Sequence, residues 1–200
     1  MLDEQVELFG GVNPLEVYFF DVFGLDFNLS KMEIPKDKGF YAFMIVPPQL
    51  NEAQIISVFF KKWGVNIFTH FDLMKLITQK IDRANEQKRP KGLYVFAHRG
   101  GINFDYKHQG KSYNTAKREG FLFMNLKEYL LVTGFFKFYN GYFINQGQDR
   151  RKKGQRDDGT YTSSLSGGRL IQVSWLNGIV INNSDPKVCC LDFGPREIVL

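Results

Sequence analysis

Three stretches of the chain open on asparagine and close on glycine at helical length, residues 13–24, 51–64 and 125–141. An asparagine side chain can accept the first unpaired N–H groups of a helix, and glycine adopts the left-handed turn that ends one. In NPLEVYFFDVFG, Pro14 stands where a missing N–H costs nothing, and Leu15, Tyr18, Phe19, Val22 and Phe23 recur at helical spacing. NEAQIISVFFKKWG sets Gln54 in capping-box register with Asn51 and puts Ile55, Val58 and Phe59 on one face. NLKEYLLVTGFFKFYNG repeats that register with Asn125 and Glu128, above an inward stripe of Leu126, Tyr129, Leu130 and Phe136. A further helix is predicted over FDLMKLITQKIDRANEQ, where Leu73, Leu76, Ile77 and Ile81 share a face.

Between these helices, FYAFMIV is too short and too uniformly apolar for another and lies between Gly39 and Pro47, so it reads as a buried strand. VNIF and LYVFAH read as further strands, and RGGINFDYKHQGKSYNTAKREG as a polar connector. From Tyr142 onward the chain breaks into short runs, YFI, GTYTSSL, RLIQVSW, GIVI, KVCCLDF and EIVL, divided by Gly, Asn, Asp and Pro. That texture predicts antiparallel hairpins. The expected fold class is α+β: helices packed on a mixed sheet, with a mainly antiparallel C-terminal β region. One domain over 1–200 is expected, with room for a subdivision into an α/β-like part (1–140) and a β-rich part (141–200).

Twenty phenylalanines in a chain that is 16% aromatic and 44% hydrophobic supply enough ring area for a real core. The opening MLDEQVELFGG holds three acids and no basic residue, unlike a secretory or mitochondrial leader. Apolar runs such as FYAFMIVPP fall well short of the ~20 residues a membrane helix needs, so no membrane partner is expected. Cys189 and Cys190 are adjacent, a spacing poorly suited to bridging, and read as reduced thiols in a cytoplasmic protein.

Candidate chemistry is sparse. FAHRGG, with His98 and Arg99 at a strand end, resembles the opening of glycerophosphodiester phosphodiesterases. That family's barrel needs ~250 residues after its first strand begins, more than the chain has left, and the Glu-Asn pair the family places shortly afterwards is missing. A strand end turning through Gly100 and Gly101 is the plainer reading; a small hydrolase would draw on His98, Arg99 and Asp105. His70, His98 and His108 lie in separate segments with no carboxylate or thiol at ligand spacing, so neither a metal nor a cofactor is expected. Cys189 lies in an apolar run where a thiol packs as a small hydrophobe rather than acting as a nucleophile. SLSGGRL lacks the spacing of a phosphate-cradling loop and reads as a hairpin turn.

The formal charge of +5 is unevenly spread: residues 1–110 hold 13 basic and 13 acidic side chains, residues 111–200 hold 13 and 8. Part of the excess is in QGQDRRKKGQRDDG, where Arg150, Arg151, Lys152, Lys153 and Arg156 are flanked by Asp149, Asp157 and Asp158. These cations could neutralise phosphates, with Tyr139, Tyr142 and Tyr161 close enough in sequence to offer stacking faces. A solvated loop tip is the first reading of the run and a nucleic-acid contact the second.

Taken in order, FGLDFNLSKMEIPKDKGFYAFMIVPPQL, GLYVFAHRG, EGFLFMNLKEYLLVTGFFKFYNGYFI, DDGTYTSSLSGGRLIQVSW and LDFGPREIVL resemble a group of uncharacterised small bacterial proteins, over about residues 23–200. The chain departs from the group's pattern where QDRRKKGQR replaces the Gly-Ser-Arg that precedes the Asp-Gly turn. The resemblance implies a shared layout and carries over no catalytic residue or cofactor. The sequence alone therefore favours a binding or interaction protein without recognisable catalytic machinery, with Tyr161 and Trp175 as anchors for a protein partner or ligand. Nucleic-acid binding through 150–156 and a small hydrolase near His98 are the alternatives.

Overall fold

The computed structural model of the chain describes residues 13–35, 37–69, 87–100, 106–108, 110–144, 159–166, 169–175, 178–187, 193–194 and 196–200. Helix α1 (Pro14–Phe23) starts where Asn13 Oδ1 accepts the Leu15 N–H at 2.9 Å and stops at Gly24, whose φ of 67° suits glycine. In α2 (Glu52–Trp63) the capping box closes in both directions, the Gln54 N–H donating to Asn51 and the Asn51 N–H to Gln54. The stretch expected as a polar connector holds a short helix, α3 (Tyr113–Arg118), capped by Ser112. Helix α4 (Leu126–Asn140) carries the second capping box, between Asn125 and Glu128.

Eight strands among the described residues form two sheets: β1 (Ala42–Val46), β2 (Ile67–Thr69), β3 (Tyr94–His98), β4 (Gly159–Ser166), β5 (Arg169–Trp175), β6 (Ile179–Ser184), β7 (Phe193–Gly194) and β8 (Ile198–Val199). The smaller sheet has the order β1-β3-β8 and is antiparallel. The larger runs β2-β6-β5-β4-β7: an antiparallel β4-β5-β6 meander flanked by β2 parallel to β6 and β7 parallel to β4. The fold class is α+β, with the mixed sheet and antiparallel C-terminal meander the sequence predicts. Each sheet takes strands from both sides of residue 140.

Two details depart from expectation. Tyr142, Phe143 and Ile144 form no strand; they turn out of α4 so that Phe143 and Ile144 are buried and the Ile144 N–H donates to Thr133 Oγ1 at 2.9 Å. Neither β7 nor β8 closes a hairpin, because β7 joins β4 in parallel and β8 crosses to pair with β3. The predicted helix over FDLMKLITQKIDRANEQ falls, except for Gln87, outside the described residues, as do residues 188–192.

The core is organised around α4, which packs against α1, α2, β1 and β4. Its predicted single stripe is in fact a nearly complete girdle: Leu126, Tyr129, Leu130, Leu131, Val132, Thr133 and Gly134 are all buried. Gly134 permits the closest approach, since a Cβ there would fall 2.5 Å from Phe59 Cζ and against the Tyr18 hydroxyl. That hydroxyl donates to the Leu131 carbonyl at 3.1 Å, and the Tyr18 ring meets Phe19, Phe23 and Phe135 edge-on. A satellite cluster of Tyr113, Ala116, Phe123 and Leu170 seats α3 against β5. Among the described residues no helix is long and apolar enough to cross a membrane.

Candidate functional site

β3 delivers His98 and Arg99 to different surroundings. His98 is buried beside Phe96, and its Nδ1 accepts the Gly100 N–H at 3.0 Å, which leaves the ring proton of the neutral form on Nε2. Burial, helped by the nearby Arg196 guanidinium, lowers its pKa to about 3, so the ring is neutral at ordinary pH. Arg99 instead lies over the Phe40 ring, 4.2 Å from its centroid, donates to the Gly39 carbonyl and pairs with Glu197 at 3.2 Å. Asp105, the third member of the hydrolase grouping, lies outside the described residues.

Glu197 is the meeting point of a surface-edge cluster. Its Oε2 takes Arg99, Lys107 and, at 3.4 Å, His108 Nε2. Burial alone would raise this carboxyl, but hydrogen bonds from Lys107, Arg99 and His108 outweigh it and hold the pKa below the usual value. His108 is fully buried and packs edge-on against Phe121 at 4.3 Å. A carboxylate held by that many donors is a clamp, tying the residues just before β8 to the turn after β3.

A deeper network forms at the start of α4, where Glu128 does more than complete a cap. Arg89 meets it bidentately, Nε to Oε1 at 2.6 Å and Nη2 to Oε2 at 3.0 Å, while the Tyr94 hydroxyl donates to Oε1 at 2.7 Å. Arg89 also donates to the Phe123 carbonyl. From the other side β4 contributes Ser164, whose Oγ accepts the Leu126 N–H at 3.0 Å, and Ser163, whose N–H donates to the Met124 carbonyl. Burial first, and then the Glu128 charge, raise the Tyr94 hydroxyl far above its ordinary range. Arg89 and Tyr94 carry no motif in the sequence; the Asn125/Glu128 register was readable, its partners 34 and 39 residues away were not.

An open concavity lies elsewhere, beside α3. It is a cleft of about 580 Å³ lined by Ser112, Asn114, Thr115, Lys117, Arg118 and Lys187. The Asn114 N–H donates to the Pro186 carbonyl at 3.2 Å, which draws the turn after β6, and Lys187 with it, against the helix. Lys117, Arg118 and Lys187 are exposed. Among the described residues the wall offers ammonium, guanidinium, hydroxyl and amide groups and no carboxylate, imidazole or thiol. Its described lining is cationic and polar and includes no general base or nucleophile of ordinary reactivity.

The residues singled out from sequence fall as follows. Arg150, Arg151, Lys152, Lys153 and Arg156, like His70 and Cys189, lie outside the described residues. Tyr161 pairs with Gln172 in the β4–β5 ladder and Trp175 with Ile179 in the β5–β6 ladder. No group of His, Cys, Asp or Glu among the described residues is placed to hold a metal ion. No protein-family model, curated protein or solved structure matches the chain.

Proposed function

We propose that the protein acts by binding, and that its ligand contact is the cleft between α3 and the turn after β6, which takes an anionic group. The observation that carries this reading is the composition of the described wall: Lys117, Arg118 and Lys187 beside Ser112, Asn114 and Thr115, with no acid among them. An anion entering there meets three cations gathered in one concavity. The ionic groups of the interior, by contrast, are taken up in holding elements together: Glu128 by Arg89, Tyr94 and the helix cap, and Glu197 by Arg99, Lys107 and His108.

Titration of the 200-residue chain with inorganic tripolyphosphate at low ionic strength, followed by calorimetry, tests the reading. Saturable binding is expected, lost in the Lys117→Ala/Arg118→Ala/Lys187→Ala variant, whose circular dichroism and melting temperature should match the parent because these side chains are exposed. Equal binding by parent and variant, or none by either, would sink it.

A further inference from the structure

We infer that the anion held at the α3 cleft is the phosphodiester backbone of a nucleic acid duplex, bound without regard to base sequence. The inference rests on the anion-binding reading above and narrows it to one class of partner. The first argument is shape. The cleft is open to solvent rather than closed over, so it suits a ligand that extends beyond it better than a small anion that must be enclosed to be held.

Donor chemistry is the second argument. Two ammonium groups and one guanidinium, with hydroxyl and amide groups between them, match phosphate oxygens, whereas no described aromatic ring lines the cleft to stack on an unpaired base. Contacts of that kind position a backbone and carry no sequence information. The third argument is field. Residues 111–118, which supply most of the cleft wall, hold Lys111, Lys117 and Arg118 and no acidic side chain.

A membrane surface would need the same charges with apolar side chains beside them to enter the headgroup layer. Among the described residues the exposed large apolar side chains, Phe20, Tyr41, Phe60, Leu93, Tyr142 and Leu200, include none that lines this cleft.

Fluorescence anisotropy with a labelled DNA duplex of about 20 base pairs, read across a salt series, tests the inference. Three neutralised phosphates predict a log–log salt slope of about −2.7, so affinity should fall about 40-fold between 50 and 200 mM salt. Lys187→Ala should cut that fall to about 12-fold, and a duplex of shuffled sequence should bind equally well. Duplex binding that survives the triple alanine variant with an unchanged slope would overturn the inference by placing the contact elsewhere on the chain. Binding of tripolyphosphate without binding of duplex would also overturn it, while leaving the anion site standing. Failure of the parent chain to bind either ligand would remove the underlying reading as well. Preference for vesicles rich in anionic lipid over the duplex would assign the cleft to a membrane and refute the proposal.

Discussion

Gly134 shows how much a missing side chain can hold together. It lies inside α4 with ordinary helical neighbours, where alanine would normally be favoured by about 1 kcal/mol. Here a methyl group would meet Phe59 Cζ at 2.5 Å and Cε1 at 2.7 Å, and both Phe59 and Tyr18 are fully buried with nowhere to retreat. Overpacking of that kind costs about 1–3 kcal/mol. Gly134→Ala should therefore lower the urea midpoint, and a midpoint at or above the parent's would show that α1 and α2 can yield. This role is invisible in the sequence, since a glycine in an aromatic-rich helix is legible only as a weak spot until the rings opposite are known. His98 and Arg99 teach the converse: adjacent residues in a suggestive motif end up apart in role, His98 accepting the Gly100 N–H and Arg99 pairing with Glu197.

At the scale of single elements, what was legible was what is local. α1, α2 and α4 start and stop where their asparagine caps and glycine ends direct, because those signals act within one turn of the chain. The same capping box nevertheless does different work in two places. Asn51 is exposed and its replacement by alanine should cost about 1 kcal/mol. Asn125 is buried, so Asn125→Ala strands the Glu128 N–H in the interior and loosens the carboxylate that Arg89 and Tyr94 share. A cost of about 2–3 kcal/mol is expected. Thermal unfolding of the two variants checks the ranking, and equal losses would mean that the network adds nothing to the cap. α3 escaped prediction because six residues are too few to show a period, and its seat comes from Tyr113 and Ala116 meeting Phe123 and Leu170. β7 and β8 were recognisable as a short apolar segment and a terminal strand, yet their partners are set by contacts at long sequence distance that no alternation pattern encodes. The α3 cleft shares that fate, since the turn that carries Lys187 is joined to α3 by the Asn114–Pro186 bond, 72 residues apart in sequence by the difference between 186 and 114.

The molecule as a whole should be sensitive to acid in a defined window. An unfolded histidine takes up a proton near pH 6.5, whereas buried His98 resists until about pH 3. Between those values the unfolded state binds more protons, so stability is full above about 6.5 and drains away as the pH falls, at up to about 1.4 kcal/mol per unit. Glu197, its pKa depressed by its hydrogen bonds, adds to the same trend once the pH drops below its unfolded value. His98→Asn can keep an acceptor for the Gly100 N–H while removing the titration. Urea unfolding from pH 7 to 4 should show a shallower decline for that variant, and superimposable profiles would exclude His98 as the source.

The position of β8 also sets a schedule for synthesis. β3 can pair with β1 as soon as both have emerged, but its other edge waits for Ile198, a hundred residues later by the difference between 198 and 98. At about 5–20 residues per second a ribosome leaves that edge bare for about 5–20 seconds. Chains released early would keep it bare for good, which makes them natural clients for chaperones and proteases and the first to stick to one another.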